Sequence, residues 1–344
     1  MFLCVGQRNE RKLGGLMKQA IVVVGGYGQV GSKAARHLAV ERDFPVIIAG
    51  RNAERAAACA AQLGHGASAR RVDLTDPSTY DAVLDGAGVV LMCADLPDAA
   101  LVARCLACGI HYVDLTGERR LMKEIMALKG DATAVISVGL MPGLSNLLAK
   151  HAVEKVPGAK AVETALLLGM GEEHGTASLY WTFGHLSDTR GHRKFDFGAP
   201  YGRRMALRYA FPDQYTLPHT LGIESASSWM CMDSVGMTRL MGLLRQLYIA
   251  PIFKNGAVMR SFARMADQPQ GGSEGVVLTS RIKGAYQAWI RGAGETRVTA
   301  RMGAEVAARV AMGDLPRGVY HSEQVFRLEE FLPHLGLTFE EREG

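Results

Sequence analysis

A chain of 344 residues that is 48% apolar, 21% charged and 7% aromatic is globular and long enough for two domains, and this composition excludes disorder, collagen and a small disulfide scaffold. The 39 Lys and Arg against 34 Asp and Glu leave a formal charge of +5 spread along the chain, which argues against a nucleic-acid-binding protein. The unusual feature is 40 glycines against 12 prolines, without a repeat period.

The N-terminal region holds Met1 to Val5 as its only apolar run before Arg8, Glu10, Arg11 and Lys12, so no signal peptide is expected and the setting is read as cytoplasmic. Residues 1–16 read as a disordered tail, or as the product of a misplaced start codon, ahead of a better domain start at Met17. No stretch reaches about 18 uninterrupted apolar residues, which argues against a transmembrane helix and leaves contact with a membrane surface open. The six cysteines are expected to be reduced, mostly buried thiols. Cys105 and Cys108 form a CxxC inside a helical run and lack a second ligand pair, so no metal site is expected.

Ile21 to Val24 is a continuous β-branched run, the pattern of a strand buried on both faces of a parallel sheet. It leads into Gly25-Gly26-Tyr27-Gly28-Gln29-Val30-Gly31 and then a helix over Ser32 to Val40. Gly26, Gly28 and Gly31 fit G-x-G-x-x-G: Gly26 for the tight turn, Gly28 for close approach of a pyrophosphate, Gly31 for packing of helix on strand. The phosphates would sit on the N–H groups that open the helix. The next strand, Phe44 to Ala49, ends about 20 residues past the third glycine, where an NAD enzyme places an acid on the ribose 2′-hydroxyl. Gly50, Arg51 and Asn52 stand there instead, and a guanidinium matches a 2′-phosphate, so NADP is expected over NAD, with Arg55 as a second cation. Arg70 to Leu74 predicts a strand ending near Asp73, a residue placed at the adenine edge or as the cap of the following turn. Gly88 to Ala94, His111 to Asp114 and Ala134 to Ser137 continue the strands, and Pro97 to Cys108 reads as a helix. The alternation predicts a Rossmann-type doubly wound α/β domain with a parallel sheet.

The ordered set Gly26 to Gly31, Ala49-Gly50-Arg51-Asn52, Tyr112 to Glu118 and Gly139 to Asn146, with Gly313 to Tyr320 and Glu323 far downstream, resembles the saccharopine dehydrogenase-like (saccharopine reductase) family. The resemblance implies a nicotinamide-dependent oxidoreductase whose last segment returns to complete the first domain. The implied boundaries are 17–140, completed by about 305–340, for the NADP-binding domain and 141–304 for an α+β substrate-binding and dimerisation domain. It matches Gly26, Gly28, Gly31, Arg51 and Asp73 to nucleotide positions and Pro142 and Gly143 to the turn below the nicotinamide. It also implies reduction of an imine formed from an amine and a keto acid, with enoyl reduction among its relatives.

In the second domain Val162 to Gly169, Val276 to Lys283 and Tyr286 to Arg291 predict strands, the last two joined as a hairpin through Gly284-Ala285, and Val298 to Met312 a helix. Candidate catalytic acids are His174 and Tyr180, together with Glu118 at the end of a strand of the first domain. Glu118 reads equally well as a helix N-terminal acid. Arg190 and Arg193, with Arg203, are candidates to clamp a substrate carboxylate. The Met-rich stretch Ala226 to Met265 reads as a helical pair forming core or a dimer face, or else an adaptable apolar pocket or a basic surface on a membrane. Three functions follow: an NADPH-dependent C=N reductase acting on a small molecule as a homodimer, an enoyl reductase for a hydrophobic acyl substrate, and an NADP-binding protein without turnover.

Overall fold

The β-branched run that opens the pattern is the strand Ala20–Val24 (β1) in the computed structural model, which describes residues 11–13, 16–171, 176–266, 272–313 and 315–344. The chain divides into two units, Met1–Leu144 with Thr299–Phe326, and Ser145–Val298 with Arg327–Gly344. Ahead of β1, Arg11–Leu13 pairs antiparallel with Leu16–Lys18, so part of the segment expected as a tail is seen as a short ribbon.

In the first unit β1 is followed by Val46–Gly50 (β2), Ser68–Arg71 (β3), Ala87–Met92 (β4), His111–Asp114 (β5) and Thr133–Ile136 (β6). With the returning strand Gly318–His321 they form one parallel sheet in the order Gly318–His321, β6, β5, β4, β1, β2, β3. Parallel strands are buried on both faces, and Val22, Val24, Ile47, Val90, Met92 and Tyr112 fill one core with helix residues Leu101, Leu121 and Ile125. The helices are Gln29–Arg36 (α1), Ala53–Leu63 (α2), Tyr80–Leu84 (α3), Ala100–Ala107 (α4) and Arg119–Met126 (α5).

Three local expectations shift. The first helix begins at Gln29 rather than Ser32 and closes with one π turn, His37–Glu41. The strand expected to reach Asp73 stops at Arg71, because its partner β2 ends at Gly50, the residue Arg71 faces. Pro97 precedes α4, which starts at Ala100, where the Asp98 side chain accepts the Ala100 N–H (2.8 Å).

The long helix Glu295–Met312 carries the buried Glu305, whose Oε1 lies 2.6 Å from His37 Nε2 and whose Oε2 lies 3.5 Å from Arg42. These contacts tie the returning segment to the end of α1.

The second unit contains Ala161–Leu168 (β7), His192–Asp196 (β8), Arg203–Tyr209 (β9), Ser225–Met232 (β10), Gly275–Ile282 (β11), Tyr286–Ala293 (β12) and Thr338–Glu343 (β13). They form a mixed sheet ordered β8, β9, β10, β7, β11, β12, β13, in which only the β10–β7 pair is parallel. Ser145–Lys155 (α6) packs on β7 and β11, and Asp213–Leu221 (α8) on β10; the remaining helices include Thr176–Gly184 (α7), Val235–Gln246 (α9) and Gly256–Ala266 (α10). His151 on α6 bonds Glu329 (2.7 Å), Glu341 (2.8 Å) and Tyr286 (3.0 Å), fastening the C-terminal segment. The expected hairpin forms, with Gly284 at φ 75° between β11 and β12.

The Met-rich stretch is corrected. Its beginning is strand β10, with Trp229 to Met232 buried, and the expected helical pair is confined to its later part, as α9 and α10 with a 3-10 turn at Ala250–Lys254 between them. The helical spacing of Leu240, Leu243 and Leu244 does fall in α9, whereas the residues ahead of it pair with β7 and β9 on either side. No helix among the described residues is long and apolar enough to cross a membrane.

Candidate functional site

The order of the first sheet reverses at β1, since the chain proceeds to β2 on one side and reaches β4 on the other. The crevice at the carboxyl ends of such strands is where open α/β sheets bind ligands. There the tight turn is made by Gly25, at φ 77°, rather than by Gly26 as expected. A Cβ on Gly25 would meet the Cys93 carbonyl oxygen at 2.9 Å, in the loop after β4. Gly26 is required for another reason: its Cβ would stand 2.7 Å from the Val23 carbonyl oxygen and 3.1 Å from Ile48. Gly31 is buried, and a Cβ there would lie 2.8 Å from the Gly25 carbonyl carbon, so helix and strand approach through glycine as expected.

Gly28 is the N-cap of α1, with no side chain bonded to the helix start, and both it and Gln29 are exposed. The first N–H groups of α1, including those of Gln29 and Val30, therefore open toward solvent without a side-chain cap, at the positive end of the helix dipole. That cradle fits a pyrophosphate.

The Tyr27 ring packs against Gly50, where a Cβ would stand 2.8 Å from its Cζ. The Tyr27 hydroxyl accepts the Asn52 N–H (3.2 Å), and the Arg55 guanidinium sits over the ring at 4.7 Å. Asn52 caps α2, its Oδ1 accepting the Arg55 N–H (2.8 Å). The expected nucleotide residue Asn52 thus has a structural task, and Arg55 is engaged with Tyr27. Arg51 is exposed at the carboxyl end of β2, where the ribose 2′-position of a dinucleotide falls. Asp73 lies in the turn past β3. Its Oδ1 accepts from the Thr75 hydroxyl (2.8 Å) and N–H (3.1 Å), and the hydroxyl bond foremost holds its carboxyl below the ordinary range.

The carboxyl ends of β5, β6 and the returning strand carry polar groups that sequence reasoning did not single out. Asp114, 1% exposed, accepts the Thr116 N–H (2.6 Å) and the Tyr112 hydroxyl (2.9 Å), and burial pushes its carboxyl up to about 6. Ser137, fully buried at φ 57°, is hydrogen-bonded to His321 Nδ1 (2.8 Å). Burial keeps the His321 imidazole below its ordinary pKa, against the opposing charge of Glu323. Pro142 and Gly143 follow in the same loop, with Gly143 at φ 133° and no room for a Cβ nearer than 3.1 Å from the Ser137 carbonyl oxygen. Periodicity carries no signal for this cluster, because a positive φ and a partner 184 residues away are tertiary facts.

The expected catalytic and substrate residues are dispersed over other tasks. Glu118 is the exposed N-cap of α5, accepting the N–H groups of Arg120 (3.0 Å) and Leu121 (2.7 Å). His174 lies outside the described residues. Tyr180 is on α7, half-buried, next to Trp181, which stacks on His185 and Phe211 with centroids at 4.7 and 4.6 Å. Arg190 donates to the Tyr248 hydroxyl (2.7 Å) and stacks on its ring, whereas Arg193 pairs with Glu163, so the two do not form one clamp. Among the described residues no cluster of His, Cys, Asp and Glu is placed to hold a metal ion.

A parallel sheet with a glycine cradle at its point of reversal and a cation at the second strand end defines a dinucleotide-binding α/β protein. Residues 21–138 match the family of saccharopine dehydrogenase NADP binding domains. Over 118 residues the chain is 36% identical to a candidate trans-acting enoyl reductase of Mycobacterium tuberculosis, in each of two strains. That match spans 31% of this chain and 27% of the length of those relatives. The fold is similar to that of apo saccharopine dehydrogenase (L-Glu forming) from Saccharomyces cerevisiae, with a TM-score of 0.63 and 15% identity over 95% of this chain and 100% of that one. The chain is thus saccharopine dehydrogenase-like, in sequence over its nucleotide-binding part and in fold over nearly its whole length.

Proposed function

We propose that the protein is an NADPH-dependent reductase that delivers a hydride to the C=C bond of a hydrophobic enoyl substrate. The observation that carries the reductase reading is the N-terminus of α1 framed by Gly26, Gly28 and Gly31, which suits a dinucleotide pyrophosphate, and the exposed Arg51 after β2 supports a 2′-phosphate. NADPH, when bound, supplies the hydride. The chain's own part is to hold the cofactor through the α1 amides and Arg51, and to present Asp114, Ser137 and His321 at the carboxyl ends of the strands on the far side of the reversal.

The acceptor class moves from imine to enoyl for three reasons. Arg193 is committed to Glu163 and Arg190 to Tyr248, which leaves the expected carboxylate clamp unassembled. The second unit exposes Leu240, Leu243, Leu247, Tyr248, Ile249 and Ile252 along α9 and the turn after it, an apolar surface suited to an acyl chain. The relatives that are 36% identical over 118 residues are named as candidate trans-acting enoyl reductases. The imine reading is retained as the second, because the fold is shared with a saccharopine dehydrogenase. Free thiols at Cys59, Cys93, Cys105, Cys108 and Cys231 suit a reducing cytoplasmic setting, and a homodimer remains part of the proposal.

NADPH consumption against a panel of enoyl thioesters and a panel of amine plus keto-acid mixtures tests the reading. Turnover with enoyl thioesters alone is expected. Turnover with amine plus keto acid alone transfers the assignment to imine reduction, and stoichiometric NADPH binding with no turnover on either panel refutes both in favour of a binding protein.

A further inference from the structure

We propose that the second unit contains a separate binding site for a small ligand bearing a diphosphate or two closely spaced phosphates. The site is a cavity of about 580 Å³ against the mixed sheet, lined by Arg193, Lys194, Arg203, Arg281, Lys283 and Arg342. The volume is that of a small-molecule site rather than a flat surface for a macromolecule. β8 supplies Arg193 and Lys194, β9 opens with Arg203, β11 and its turn carry Arg281 and Lys283, and β13 brings Arg342.

Two carboxylates answer these six cations. Glu163 pairs with Arg193 and with Arg281 (2.7 Å), and Asp196 lies 3.6 Å from Arg342. The excess of positive charge is concentrated on a floor that is already ordered. The Arg281 guanidinium lies over Phe195 at 4.0 Å, Arg193 over Trp229 at 5.1 Å and Arg342 over Trp289 at 5.1 Å. Lys194, Arg203 and Lys283 are exposed and have no carboxylate partner among the described residues. Burial foremost, and the like charge of Arg203 after it, hold the Arg281 guanidinium below its ordinary pKa. Cations dispersed over a surface relieve such repulsion with water, whereas these converge on one concavity. One carboxylate would leave most of the excess standing. A diphosphate, with about three negative charges at neutral pH and oxygens for both ammonium and guanidinium donors, balances it.

The test uses the full chain saturated with NADPH, so that the first unit's site is filled, and calorimetric titration with inorganic pyrophosphate, orthophosphate, ADP and citrate. Saturable one-to-one binding of pyrophosphate is expected, at least about tenfold tighter than orthophosphate or citrate. ADP tighter than pyrophosphate identifies a nucleoside diphosphate, and equal affinities identify recognition of the phosphates alone; both support the site. The triple variant Lys194→Ala, Arg203→Ala, Lys283→Ala alters only exposed side chains and is expected to weaken pyrophosphate binding by at least about tenfold with NADPH affinity unchanged. Absence of saturable binding, identical titrations of the parent protein and the triple variant, or displacement of NADPH by pyrophosphate overturns the proposal.

Discussion

Asp114→Asn isolates one ionisation inside the first unit. The carboxyl is 1% exposed and pushed by burial from the ordinary 3.8 to about 6, so the native state holds a proton that the unfolded chain releases near pH 4. Below about pH 4 the group is protonated in both states and adds no pH dependence. Between about 4 and 6 the unfolded state binds fewer protons than the native one, and stability falls as pH rises. Above 6 the full penalty stands, about 3 kcal/mol for a displacement of this size. Asn keeps an oxygen for the Thr116 N–H and offers its amide to the Tyr112 hydroxyl, so its hydrogen bonds carry over without titrating. All other ionisations are common to both proteins. The stability difference, variant minus parent, is therefore expected to rise by about 3 kcal/mol from pH 4 to pH 7, whatever its starting value. The three tryptophans, Trp181, Trp229 and Trp289, all lie in the second unit, so unfolding of the first must be followed by hydrogen exchange at the β5 amides rather than by fluorescence. A flat difference, or one that falls with pH, would refute a buried protonated carboxyl at this strand end.

Two other substitutions separate binding from scaffolding. Arg51→Glu removes the guanidinium at the end of β2 and is expected to weaken NADPH by 10- to 100-fold, roughly the worth of a charge-assisted contact, while leaving NADH within about threefold; fluorescence titration with both nucleotides measures it, and equal losses would deny Arg51 the 2′-phosphate. Glu118→Ala deletes the cap of α5 and is expected to lower stability by about 1 kcal/mol with little effect on turnover; a collapse of turnover at unchanged stability would make Glu118 part of the chemistry.

Local chemistry determined much of the nucleotide-binding half. The run before Gly25 has one stable arrangement as a doubly buried strand, and the glycines after it are legible because strand, turn and helix are adjacent in the chain. Even there the division of labour needed three dimensions: Gly25 takes the positive φ, and Gly26 is confined by Val23 and Ile48, which lie within one turn and on the neighbouring strand. The hairpin at Gly284 was legible for the same reason of proximity.

Wherever a residue's task depends on partners far along the chain, the tertiary structure decided. Ala226 to Met232 reads as part of a helical stretch from the spacing of residues further on, and pairing with β7 and β9 makes it a strand. Arg193 became the partner of Glu163, and Ser137 that of His321, across separations that no periodicity encodes. The basic cavity assembles from β8, β9, the β11 turn and β13, each unremarkable by itself as a solvated, charged segment. Sequence alone determined which segments could be strands and where a phosphate could meet backbone, because those follow from neighbours within about a dozen residues. Tertiary structure decided which charges face one another, because Coulomb energy and burial depend on distance in space and not along the chain.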